Sequence, residues 1–217
     1  MLGCSKRPTH AKKALPVREG LSSRLQRLGG VSFLETHVKE QHVTLQPWKA
    51  NVYGAVFSVL FFVISIFLYG EEIHFSITLP DLLFFILLIA VGIVVHEALH
   101  GLGFYLSGKA AWSDIRFGVV WKKMIFYACC LRPLPIFYYR LAVILPGFLL
   151  GIIPYCIALY AQSLFWYLWS IIMILGAFGD GYILWTLRKF GKETRIADVT
   201  DGIGYIAYVT EPTQSKD

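Results

Sequence analysis

The sequence predicts an α-helical integral membrane protein with about four transmembrane helices and a small cytoplasmic β-hairpin. Three observations carry that expectation. Mean hydropathy is +0.59, and 56% of the 217 residues are hydrophobic while only 16% are charged, a balance that excludes an ordinary soluble domain. The charges are segregated, since all 20 Lys and Arg fall in residues 1–50, 107–140 and 186–217. Between these segments lie apolar runs long enough to cross about 30 Å of hydrocarbon as helices.

In chain order, residues 1–30 read as a basic cytoplasmic tail, either mobile and close to anionic lipid or simply a topology signal. Residues 31–208 form the membrane domain, and 209–217 a C-terminal tail. Within the domain, residues 31–50 add a strand or short helix, with His37 and His42 as ordinary surface residues. Val52 to Tyr69, without a charge, is the first span. Leu82 to Leu106 is the second. Its apolar first half, Leu82 to Val95, is too short to cross alone, so the helix must carry His96, Glu97 and His100 into the membrane. Ile115, Phe117, Val119 and Trp121 then alternate with Arg116, Gly118 and Val120, and a second run, Met124 to Leu131, follows a Lys122-Lys123 turn; residues 112–134 therefore read as a β-hairpin at the membrane surface. Its edge offers either a place for an extended substrate strand or a plain packing surface. Leu141 to Gly179 is 39 residues without a charge, broken naturally at Ala161-Gln162-Ser163, which gives spans three (141–160) and four (164–187). Pro146 and Pro154 should bend span three.

Orientation follows from loop charge. Residues 1–50 hold nine Lys or Arg and three acids, and residues 107–140 hold six and one, whereas 70–81 hold no cation and three acids, Glu71, Glu72 and Asp81. Both termini and the central loop are expected on the cytoplasmic side of a cell membrane that the chain crosses several times.

The run Val94-Val95-His96-Glu97-Ala98-Leu99-His100 places an H-E-x-x-H motif inside the second span. Residues four apart on a helix are separated by about 400°, so both imidazoles leave nearly the same face and can bind one ion. Glu97, about 100° round from His96, stands where its carboxylate can take a proton from attacking water and return it to a leaving amine. Chance is a weak alternative, since roughly 0.006 such matches are expected in a chain of this composition. The setting weakens it further, because a Glu and two His in an apolar helix cost several kcal/mol without a compensating partner.

Depth picks a third ligand. His100 lies about six residues and His96 about ten from the cytoplasmic end of span two, roughly 9 to 15 Å in, and Asp180 lies about seven residues, roughly 10 Å, from the end of span four. Asp180 is the sole charged residue of the second half of the membrane region. Two His and a carboxylate, leaving one position open, is a common catalytic zinc arrangement; the alternative for Asp180 is a helix-to-helix hydrogen bond from a protonated carboxyl. Gly179 and Gly181 would allow the two helices to approach closely.

These residues resemble a family. His96-Glu97-x-x-His100-Gly101, then Tyr127-Ala128-Cys129-Cys130-x-x-Pro133-Leu134, Tyr139-Arg140, Leu145-Pro146-Gly147, Gly179-Asp180, Asp198 and Gly204 look like the bacterial membrane family called putative zincin peptidases, over roughly residues 35–208. That family is distantly similar to the site-2 proteases, whose third zinc ligand is an Asp on a later membrane helix. The resemblance implies zinc on His96, His100 and Asp180 with Glu97 as base. The chain departs from the site-2 pattern in having Asp180-Gly181 without the Asn and Pro that precede it there.

The expected function is thus a membrane-embedded zinc metallopeptidase acting on a membrane protein or peptide within or next to the bilayer, in contact with membrane lipid. The alternative is a non-catalytic metal-binding membrane protein: a sensor, a scaffold or a transporter. A permease should line its path with polar groups at successive depths, whereas here they cluster at one depth beside a Glu that binding alone would not need. No nucleic-acid module, phosphate loop or dinucleotide fingerprint is present, and topology explains the net charge of +6. The four cysteines imply no disulfide framework.

Overall fold

The computed structural model describes residues 37–70, 78–121, 125–199 and 204–211. The expected tail at 1–30, the Glu71 and Glu72 loop and the Lys122-Lys123 turn lie outside these residues.

Strand β1 (His37–Thr44) leads into α1 (Pro47–Tyr69), which starts with Pro in its first turn and stops at Gly70, where φ is +70°. Helix α2 (Leu79–Leu106) begins with a capping box: Thr78 Oγ1 accepts from the Asp81 N–H and the Asp81 carboxylate accepts from the Thr78 N–H. Pro80 suits that first turn, so the helix starts before the expected Leu82. A short 3₁₀ turn, Trp112–Asp114, precedes the expected hairpin of β2 (Ile115–Val120) and β3 (Ile125–Cys130), antiparallel with Ile115 opposite Cys130.

After the two-residue β4 (Leu134–Pro135) comes α3 (Ile136–Pro146), a π-helical stretch (Gly147–Ile152) and α4 (Ile153–Ala161), together one apolar run of 26 residues. Pro146 and Pro154 bracket the π-helical stretch, in which the Ile153 N–H reaches back five residues to the Phe148 carbonyl; the disturbance expected from the prolines takes this form. The run starts at Ile136, earlier than the expected 141, because Arg140 is accommodated. Its guanidinium donates to the Leu187 carbonyl at 2.7 Å, capping the end of a later helix. The break at Ala161-Gln162-Ser163 is present, with Gln162 in the left-handed region at φ +50° and its carbonyl accepting from the Tyr69 hydroxyl. Helices α5 (Leu164–Gly176) and α6 (Phe178–Leu187) follow, bent by 41° at Ala177. Among the described residues, three helices are thus long and apolar enough to cross a membrane, and the bent pair makes a fourth if it counts as one span.

A four-stranded antiparallel sheet, ordered β1-β6-β5-β4, closes the chain with β5 (Arg195–Asp198) and β6 (Gly204–Glu211). The strand expected within 31–50 is β1, but its pairing with β6 and the sheet itself were not expected. β6 runs to Glu211, past the 208 boundary. Gly204, at φ +148°, lies so close to the Val43 carbonyl that no side chain fits there. One core cluster joins this sheet to the ends of α2, α3 and α6 through Phe104, Tyr139, Ile183, Leu187, Ile196 and Tyr205. A second, around Tyr69, Tyr155 and Tyr167, holds the opposite ends of the helices.

Candidate metal centre

Helical spacing turns His96 and His100 to one side of α2, and α6 meets them there with Asp180. His96 Nε2 lies 3.0 Å and His100 Nε2 3.2 Å from Asp180 Oδ2, and candidate ligand atoms of all three residues lie within 4.8 Å of one another. His100 is fully buried, Asp180 3% exposed and His96 9%. The structure therefore brings together the three residues that the depths in the sequence had matched.

Two local features aim these side chains. The break at Ala177 puts Asp180 in the first turn of α6, where the Asp180 and Gly181 N–H groups share the Ala177 carbonyl. The helix start also favours a carboxylate. On the other side, His100 Nδ1 donates to the Ala142 carbonyl of α3 at 2.9 Å, which leaves Nε2 as the nitrogen with the free lone pair. That lone pair faces a carboxylate oxygen at 3.2 Å, an arrangement that is favourable only with a proton or a cation between them. Two imidazoles and one carboxylate are a fitting donor set for zinc. Glu97, next to His96 in the chain, has Oε2 buried without a hydrogen-bond partner among the described residues.

Gly179 and Gly181 do not bring helices together, contrary to expectation: a Cβ at either position meets nothing within 4 Å. The close approach is made by Gly103, where a Cβ would lie 2.7 Å from the Ala142 Cα, and this contact carries the Ala142 carbonyl to His100. Gly101 serves the hairpin in the same way, since the Phe117 ring of β2 lies directly on it.

Sequence reasoning missed the support behind the site. Asp198, buried at the end of β5, accepts from the Tyr139 hydroxyl at 2.5 Å and from the Cys130 N–H at 2.7 Å, and burial pushes its carboxyl up to about 6. It thereby ties the sheet, the hairpin and α3 together, three residues before Ala142 on that helix. The signal available was an acid that follows two apolar residues, Ile196 and Ala197, in a short strand. His42 is exposed on β1, away from the site, as expected. Cys129 and Cys130 are both buried, and burial raises the Cys130 thiol to about 11.

Residues 89–195, just under half of the chain, match the family model described as "Putative zincin peptidase". The matched stretch contains His96, Glu97, His100 and Asp180 and is narrower than the 35–208 expected from the motifs. No curated protein and no solved structure matches the chain.

Proposed function

We propose that this zincin-peptidase segment works as a membrane-embedded zinc metallopeptidase, hydrolysing a peptide bond within or next to the bilayer. The observation that supports it most is the meeting of His96 Nε2, His100 Nε2 and Asp180 Oδ2 at 3.0 and 3.2 Å inside a chain of membrane-spanning character. A zinc ion held by those three residues would polarise the scissile carbonyl and acidify the attacking water. Glu97 would accept a proton from the attacking water and pass it to the leaving amine, a role that suits a buried carboxylate oxygen with no hydrogen-bond partner among the described residues. The Ala142 carbonyl holds the His100 ring in one tautomer and orientation throughout. The β2–β3 hairpin, packed on α2 through Phe117, supplies a strand edge for an extended substrate.

Glu97→Gln keeps the shape of the side chain and removes its ability to accept the proton. The variant should retain about one zinc per chain while product formation falls by roughly 10² to 10⁴-fold, read as the disappearance of cleaved ends in mass spectrometry of membranes from a complemented deletion strain. His96→Ala, His100→Ala or Asp180→Ala should lose most of the metal. Full complementation by Glu97→Gln, with none by His96→Ala, would replace the peptidase with a metal-dependent scaffold.

A further inference from the structure

Beyond the metal centre, the structure has a cavity of about 700 Å³ at the end of α2, lined by Lys109, Arg132 and Arg195 together with Tyr105, Pro133 and Pro135. We propose that this cavity binds the phosphate headgroup of an anionic membrane phospholipid. The proposal does not depend on the peptidase reading.

The three cations come from three chain segments, and among the described residues no carboxylate lines the cavity. Two of its walls are tied by backbone: Arg195 pairs with Pro135 in the β4–β5 ladder, and the Ile136 N–H donates to the Thr194 carbonyl at 2.9 Å. The third wall follows a chain reversal at Gly108, where φ is +64°, with the Lys109 N–H donating to Ser107 Oγ. A helix C-terminus ordinarily repels anions. Here the Gly103, Phe104 and Tyr105 carbonyls already accept from the Ser107 N–H, the Ser107 hydroxyl and the Gly108 N–H, which blunts that repulsion. Among the described residues, Arg132 has one carboxylate partner, Asp114 at 3.6 Å, in a solvent-exposed pair of little strength, and neither Lys109 nor Arg195 has one. Three cations thus share a cavity with little anionic charge to offset them.

Position argues for lipid over a soluble anion. Helix α2 has 28 residues, hence a length of roughly 42 Å against about 30 Å of hydrocarbon, so its last turn emerges at headgroup level. Tyr105 and Trp112 stack there at 4.8 Å, both exposed, as amphipathic rings do at a membrane interface. Leu106 beside them is 67% exposed and suits an acyl chain near its headgroup. A basic pocket at that depth is what an anionic headgroup requires.

The test uses the full chain in vesicles of equal phosphatidylglycerol and phosphatidylcholine, with retained lipid counted by native mass spectrometry. Wild type should retain phosphatidylglycerol in preference to phosphatidylcholine. Lys109→Gln, Arg132→Gln and Arg195→Gln should each weaken that preference about fivefold, while Arg195→Lys keeps most of it and Lys189→Gln with Lys192→Gln, outside the cavity, leaves it unchanged. Equal melting temperature and gel-filtration behaviour establish that the variants are folded, and the three single substitutions are read independently of one another. Loss of preference in the Lys189 and Lys192 variant, no preference in wild type, or retention of inorganic phosphate or of an acidic peptide in place of the lipid would each overturn the proposal.

Discussion

Asp198 lies outside the cluster of His96, His100 and Asp180, yet it has two buried donors to satisfy, the Tyr139 hydroxyl and the Cys130 N–H. Asp198→Ala should keep its zinc, because the residue lies outside the ligand cluster of His96, His100 and Asp180. It should nevertheless unfold several degrees earlier, since each abandoned buried donor costs about 1 to 3 kcal/mol. The pH dependence follows from the sign of the shift. A carboxyl raised from 3.8 to about 6 on folding favours the folded state when protonated, so its contribution is fully present below about pH 4 and is lost as pH rises through 6. Melting of wild type and Asp198→Asn followed from pH 4 to 7 should show the wild type losing stability relative to the variant across that window. At this scale the candidate cluster of His96, His100 and Asp180 was legible, because His and Asp in apolar helices are conspicuous. The Ala142 carbonyl that orients His100 was not, because every residue carries a carbonyl and only the packing decides which one is used.

Among the elements, the contact between α2 and α3 sets the geometry of the site. At Gly103 a methyl group would lie 2.7 Å from the Ala142 backbone, which cannot swing aside as a side chain could, so Gly103→Ala should push α3 away and stretch the hydrogen bond from His100 to Ala142. Zinc retained through gel filtration should fall in that variant. Gly179→Ala and Gly181→Ala, which point into open space, should hold zinc as wild type does even though they flank Asp180. The spans could be read because hydrophobic runs of hydrocarbon length are local in sequence. The hairpin could be read because its two strands are adjacent. The four-stranded sheet could not, since β1 and β6 lie about 160 residues apart and neither holds a turn that would announce the other. Nor could the 41° bend at Ala177, where no proline marks the break.

For the molecule as a whole, the cytoplasmic assignment of the sheet and hairpin is open to direct test with thiol reagents. Native Cys129 and Cys130 cannot report it, because both are buried and the Cys130 thiol is raised to about 11. Introduced cysteines can. In a chain with Cys4 and Cys156 replaced by Ser, Lys192→Cys should resist an impermeant reagent in intact cells and react once the membrane is opened, whereas Ala161→Cys, at the turn between α4 and α5, should react from outside. Labelling of Lys192→Cys in intact cells would reverse the orientation. The ladder between β1 and β6 makes a further demand that neither charge nor hydropathy contains. Eight consecutive residues, from His37 opposite Glu211 to Thr44 opposite Gly204, must pair in one aqueous compartment, yet all the apolar helices lie between them in the chain. A thread that leaves a compartment and returns to it crosses the boundary an even number of times. If each of the three long helices crosses the bilayer, they would strand β6 on the far side, and the bent pair α5–α6 would then supply the crossing that restores parity, with the kink beside Asp180 lying in a helix that traverses the bilayer.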